Sequence, residues 1–525
     1  DDTWAALNLA RALGADGQFE AAANTLRALA QRDDGDPRLW FELGKFSILQ
    51  GDARRAVEDY LLRALVLFKR SRDVYGEAET VNALGVGYGR LGQTADAEEQ
   101  YRRAVELRGK VGNRRGVATS LRNLAGVLGL RRQFDAAASH LQQARALYES
   151  LGDRAGLATV DNELGLLAEE RGDFPAALDA YRRALQALQQ VGDSHGVAET
   201  LNHVGFAHYQ LGAYDNAQAF WQQAAAAYAK LGDRTGDVRT AQNLALLDIA
   251  RGRWDEARQR LERSLQTAAQ AQMLEELAVS RRNLAELDLW QGRLAAALEQ
   301  ADKARTLFES RQDPRGETDA RLLRVQVLLA AHADARAAQE LDALAPLIAQ
   351  ASSEQQAIAA ALRTTLHQRA GRTDDAARAL ASARRLADGA GVPQLQTQIA
   401  LLAGDPEAGT QTAELGHVGL RLLWLEQAIQ RALADDPAAA VRHYREATGL
   451  LRGKTYLRAF RLHGLGARAF AARGDEAGAT MARRDAVAAL GVLRAAIPPS
   501  LLAGFDASAE VRMLQGERLA AGAAR

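Results

Sequence analysis

The side chains that could carry chemistry in this sequence fail, group by group, on spacing. Nine histidines are scattered along 525 residues, and His203 and His208 share one helical segment. Their five-residue separation turns them to different faces, whereas a helical metal pair is four apart. Gly449-x3-Gly453-Lys454-Thr455 has the residue types that cradle a phosphate, but it is one residue short of that pattern. It also follows a helical segment where a strand is required, so a helix-to-helix turn is expected. Gly85-Val86-Gly87-Tyr88-Gly89 does not complete a dinucleotide spacing and reads as helix. The acidic pairs Asp33-Asp34 and Asp374-Asp375 fall in turns or caps, where Asp is favoured on local grounds. The absence of cysteine excludes disulfides, thiolate metal sites and a thiol nucleophile. No catalytic residue, cofactor or metal is therefore expected, and the segment reads as non-enzymatic.

A recurring amide is more informative. Asn82, Asn162 and Asn202 stand two residues before a leucine or valine that recurs along the chain, and Asn123, Asn243 and Asn283 stand one before it. An asparagine offers one acceptor and two donor hydrogens, which suits the backbone of an extended peptide. Arg122, Arg282, His203 and Gln242 join the same surface, and Phe206, Tyr209, Leu246 and Trp290 follow one turn later. Aromatic and arginine side chains often dominate protein interfaces. The same recurrence also fits amides that satisfy neighbouring helix ends or tune the curvature of a stack.

The elements that position these residues are written as a repeat. Leu84, Leu124, Leu164, Val204, Leu244 and Leu284 recur every 40 residues without insertion, each followed by Gly or Ala. Alanine follows 13 residues later, at Ala97, Ala137, Ala177, Ala217, Ala257 and Ala297. A large apolar residue follows at 17 in most copies (Tyr101, Leu141, Tyr181, Trp221, Leu261) and a small one at 20. Large residues fill gaps and small ones let helix axes approach, so each repeat is two helices. Leu151-Gly152-Asp153, Val191-Gly192-Asp193 and Leu231-Gly232-Asp233 stop one helix and cap the next, and Gly92, Gly172, Gly212, Gly252 and Gly292 separate the two helices within a repeat. A further series, Gly76, Gly116, Gly156, Gly196, Gly236 and Gly316, lies in a first helical turn, where its helix-propensity cost implies close contact with a neighbour.

These residues resemble the tetratricopeptide repeat, whose signature is Trp-x2-Leu-Gly-x2-Tyr followed by Ala-x3-Phe-x2-Ala. Leu9, Gly17, Ala22 and Leu26 open a first copy, Trp40, Leu43 and Gly44 a second that is one residue longer than the regular ones, and the copies from Leu84 are similar to the long-helix repeats of Pins-type adaptors. The resemblance implies an all-α, right-handed superhelical solenoid of stacked helix hairpins with a divergent helical C-terminal region. It also implies that Asn82, Arg122, Asn123, Asn162, Asn202, His203, Phe206, Tyr209, Gln242, Asn243, Arg282, Asn283 and Trp290 face a concave, peptide-binding groove. The ordered lysines of a chaperone-tail carboxylate clamp are missing. The expected organisation is a regular array over 1–313, degenerate repeats over 314–385, divergent helical repeats over 386–497, and a cap and tail over 498–525, with Leu501, Leu502 and Phe505 folding back on the solenoid end.

Composition agrees with this organisation. Apolar residues make up 47% of the chain but aromatics only 6%, as small residues at fixed offsets require. The 66 basic and 66 acidic residues cancel, which argues against a nucleic-acid surface. Arginine carries almost all the positive charge, with six lysines in all. No apolar run is long enough to span a bilayer, so this segment is not expected to insert into a membrane. The sequence begins at Asp1 inside a helical pattern and reads as a segment of a longer protein, in a bacterial periplasm or cytoplasm. Composition and the Pro498-Pro499-Ser500-Leu501-Leu502 ending resemble the tetratricopeptide sensor regions of bacterial Ser/Thr receptor kinases, which implies a protein or peptide partner and a signalling role. A partner-sensing region of a transcription regulator is the alternative. A helical-toroid enzyme with its site between Leu386 and Ala496 is a third, for which no acid, base or metal constellation emerges.

Overall fold

The computed structural model describes residues 2–30, 35–508 and 511–512, and among these the regular structure is helical, with no strand. Asp33, Asp34 and the tail beyond 512 lie outside the described residues. Two compact units are present, Asp1–Arg171 with Ala176–Asp193, and Gly172–Pro175 with Ser194–Arg525.

In five of the regular repeats the start of the first helix is fixed by one side chain. Asp73, Asn113, Asp153, Asp233 and Asp313 accept the backbone N–H of Gly76, Gly116, Gly156, Gly236 and Gly316 at 2.9–3.0 Å, satisfying a donor the helix leaves open. Four of these positions hold glycine because a ring from the preceding helix occupies the space of a Cβ, Phe68 at Gly76, Tyr148 at Gly156, Tyr228 at Gly236 and Phe308 at Gly316, and at Gly116 the Asn113 and Arg108 side chains take that space. The copy with Ala268 lacks the ring, and Glu276 stands where glycine would be. A second reciprocity follows the signature leucine: Gly85, Gly165 and Gly205 receive Tyr101, Tyr181 and Trp221, whereas Ala125 and Ala245 stand in the copies with Leu141 and Leu261. Gly236→Ala is expected to cost about 1–3 kcal/mol through overpacking, although alanine is the better helix former. Adding Tyr228→Leu is expected to recover part of that loss. A thermal-melt double-mutant cycle checks this, and simple additivity would refute the contact.

The first unit stacks five hairpins, from Asp2–Ala15 paired with Phe19–Ala30 to Arg154–Glu170 paired with Phe174–Val191. The extra residue of the second copy is absorbed as a π-helical turn, Ala56–Leu61, between Ala53–Arg55 and Leu62–Ser71. Leu9 corrects the expected register: it is 53% exposed, while Leu7 and Ala10 are buried with Leu26 and Leu43. Arginines tie neighbouring hairpins. Buried Arg108 grips Glu79 through two bonds of 3.0 and 2.7 Å and also donates to the Gly116 carbonyl and Ser120 Oγ, and buried Asp161 accepts Arg145 at 3.0 Å and Arg183 at 2.9 Å.

In the second unit the hairpins run on from Ser194–Gln210 to Thr373–Ala390. Three further pairs leave the 40-residue register: Pro393–Ala403 with Ala408–Leu415, Val418–Asp435 with Pro437–Leu451, and Ala459–Ala472 with Glu476–Ala495. Each lies against a turn between the two helices of an earlier repeat. Leu415 meets Gly212, Val418 meets Gly252, and Leu457 meets Gly292 while its N–H donates to the Trp290 carbonyl at 2.9 Å. The Gly449–Thr455 segment is a helix end and turn in which Lys454 Nζ donates to the Gly252 carbonyl at 2.6 Å, so the lysine is a strut between helices. Leu501 and Phe505 are buried as expected of a folded-back end, but they seat on the turn at His332 and on Phe460.

Candidate functional site

Most of the polar series beside the signature leucine is already hydrogen-bonded. In the first unit, Asn82 Oδ1 accepts from Ser120 Oγ at 3.0 Å and from Arg108 at 3.3 Å. Arg122 donates to Asn123 at 3.5 Å and lies 3.5 Å from Glu163, and Asn162 is engaged as well. Burial pushes the Glu163 carboxyl up to about 7, with Arg122 opposing the shift.

In the second unit, Asn243 Nδ2 donates to Asn202 Oδ1 at 2.9 Å, and the Asn202 carbonyl accepts the Trp221 indole N–H at 3.1 Å. Gln242 is buried and latches the next repeat through the Glu276 carbonyl at 2.7 Å and Ser280 Oγ at 2.8 Å. Burial, reinforced by Arg239, holds His203 down at about 4, so its imidazole is neutral near pH 7.

Six of the expected residues, Phe206, Tyr209, Asn243, Arg282, Asn283 and Trp290, line one cavity of about 570 Å³ in the second unit. Asn202, His203 and Gln242 do not line it, nor do Asn82, Arg122, Asn123 and Asn162 of the first unit. Tyr209 stacks on Tyr214 at 5.5 Å and leans on Trp221 at 5.7 Å, which holds its ring at the wall. The Trp290 ring lies over Gly419, where a Cβ would overlap it, and 5.7 Å from the His417 ring. Arg282 donates to Asn283 Oδ1 at 2.8 Å and pairs with Glu286 at 3.4 Å. Sequence reasoning missed the other side of the cavity: Asp319 and Glu354 from the degenerate repeats, and Leu395, Leu420 and Tyr456 from the divergent pairs. None of these carries a repeat signature. Among the described residues no group of three or more His, Asp or Glu is placed to hold a metal ion, and no helix is long and apolar enough to cross a membrane.

Known repeats match this architecture. One tetratricopeptide-repeat model matches residues 116–190 and 196–270, and another matches 78–111. The chain carries tetratricopeptide repeats. Its repeats are those of a protein-interaction scaffold. Among solved structures it is similar in fold to a Rap protein complexed with Competence and Sporulation Factor, with 16% identity, 73% of this chain and 98% of that one covered, and a TM-score of 0.43. Aspartyl phosphate phosphatase F from Bacillus subtilis is also 16% identical, over 55% of this tetratricopeptide chain and 74% of its own, with a TM-score of 0.43. BtubC from P. vanneervenii is 24% identical over 41% and 90% of the two chains, with a TM-score of 0.37. No curated protein matches the sequence.

Proposed function

We propose that this chain is a non-catalytic binding region that captures a protein or peptide segment in the cavity of its second unit, as the sensory or regulatory part of a bacterial signalling protein such as a Ser/Thr kinase. The observation that carries the binding role is the convergence of Phe206, Tyr209 and Trp290 with Asn243, Arg282 and Asn283 on one cavity. Apolar rings with a few fixed polar groups make a surface that holds a segment by burial and orients it by hydrogen bonds. The signalling context is supported by the composition and the ending at Pro498–Phe505.

A mixture of random hexapeptides passed over the immobilised chain tests the cavity. Asn243→Trp places a large ring in the cavity and is expected to reduce retention about tenfold, equivalent to about 1.4 kcal/mol, with helicity unchanged. Equal retention by the variant would remove the cavity as the binding site.

A further inference from the structure

The cavity carries more negative charge than its own cations answer. Glu286, Asp319 and Glu354 line it, with Asp313 at its edge serving as a helix cap through Gly316 N–H. Three arginines face these four carboxylates: Arg282 is held by Asn283 and Glu286, Arg458 is turned to Glu426, and Arg315 is engaged as well and draws on Glu354. Asp319 accepts one hydrogen bond, from Gln355 Nε2 at 2.7 Å. Glu354 accepts none from the described residues. Burial raises the Glu354 pKa, and Asp319 and Glu286 add to that shift against the opposing pull of Arg315 and Arg282.

A second observation is independent of the charges. Asn283 is 1% exposed, lines the same cavity, and its Nδ2 donor has no acceptor. Tyr456, buried at the same cavity, leaves its hydroxyl unpartnered too. Buried donors without acceptors are rare in folded chains and costly, so a ligand carbonyl would relieve them. The rings of Phe206, Tyr209 and Trp290 line the same cavity. The three carboxylates are not gathered as a metal site. What fits is a cationic side chain on a carbonyl-bearing backbone, flanked by apolar groups.

We infer that the occupant is an extended peptide segment carrying a lysine or arginine side chain, whose cation sits at Asp319 and Glu354 while a backbone carbonyl takes Asn283 Nδ2 and apolar neighbours pack on Trp290. This rests on the cavity being a peptide site. Charge complementarity selects the side chain, and low dielectric in a part-buried cavity makes that selection stronger than on an open surface.

The test uses the full chain and hexapeptide pools in which one position is fixed as Arg, Lys, Gln or Glu and the others are mixed. The Arg and Lys pools are expected to be retained about tenfold more than the Gln pool, with the Glu pool lowest and the preference shrinking as salt rises. In Asp319→Asn/Glu354→Gln the preference is expected to vanish while the Gln pool is retained as before. Glu354→Gln alone is expected to raise the melting temperature, since it removes a buried charge that repels its neighbours, so loss of fold does not mimic the result. Equal retention of all four pools, or a preference that survives in the double variant, overturns the cation assignment and leaves the peptide site standing. If no pool is retained in a way that Asn243→Trp abolishes, both the assignment and the peptide site fall.

Discussion

Replacing Glu426 by alanine is expected to destabilise the second unit by about 3–5 kcal/mol, the range for breaking a buried ion pair from one side. Glu426 is 3% exposed on the helix Val418–Asp435. Its two oxygens accept Arg458 Nε and Nη2 at 2.7 and 2.6 Å, and Arg461 Nε lies at 3.0 Å. Burial raises the carboxyl pKa, but the two arginines more than offset it and hold it below its usual value. Removing the carboxylate takes its two acceptor oxygens from both guanidinium groups. The bonded segment adjoins Leu457, which docks on the Trp290 carbonyl, so the loss should reach the cavity wall. Urea unfolding of the variant measures the effect, and a loss below about 1 kcal/mol would show that the arginines find water or another acid and that the cluster is dispensable. Glu426→Gln keeps an acceptor and is expected to fall between the two.

Acidification is expected to weaken the same unit by about 3 kcal/mol through His417 alone, taking its shift at about 1.4 kcal/mol per pH unit. His417 is 1% exposed, packs beside Trp290, and caps the helix Val418–Asp435 by accepting the Leu420 N–H on Nδ1 at 3.3 Å. A protonated Nδ1 cannot accept, and burial pushes the imidazole pKa from 6.5 down to about 4. Because the folded pKa lies below the unfolded one, the stabilisation is complete above about pH 6.5 and is lost as pH falls toward about 4. His203, also held near 4, shifts stability in the same direction. Denaturant midpoints at pH 7.5 and 4.5 read the effect. His417→Asn keeps a capping acceptor without titrating and is expected to flatten the dependence. An unchanged slope in that variant would place the acid sensitivity elsewhere.

Arginine illustrates how composition and structure divide the explanation. The bias over lysine is plain in the sequence, but its reason is not. Arg108 gripping Glu79, Arg145 and Arg183 sharing Asp161, and Arg458 forked onto Glu426 all place a planar, multi-donor cation on a buried or half-buried carboxylate. Lysine's single ammonium does not reproduce that geometry. The asparagines divide similarly. Their recurrence is visible, yet Asn243 bonds to Asn202 and Asn82 to Ser120, so the amides serve the stack even where Asn243 also lines the cavity.

By itself the sequence determined the helix hairpins, the caps at Asp153 and Asp233, the turn glycines and the tetratricopeptide repeats. Each of these depends on residues within one repeat or the next, and a fixed period repeats that information many times. Even the exchange of Gly205 with Trp221 for Ala245 with Leu261 is visible as paired positions sixteen apart. Only the tertiary structure decided that Asp319, Glu354 and Tyr456 share a cavity with Trp290 and Asn283. It also decided that the pairs after Pro393 lie on the turns at Gly212, Gly252 and Gly292. Those contacts join segments up to about two hundred positions apart, such as Lys454 and Gly252, whose separation follows no period. Periodicity reports which elements are neighbours in the chain. It carries nothing about segments that meet because their surfaces fit.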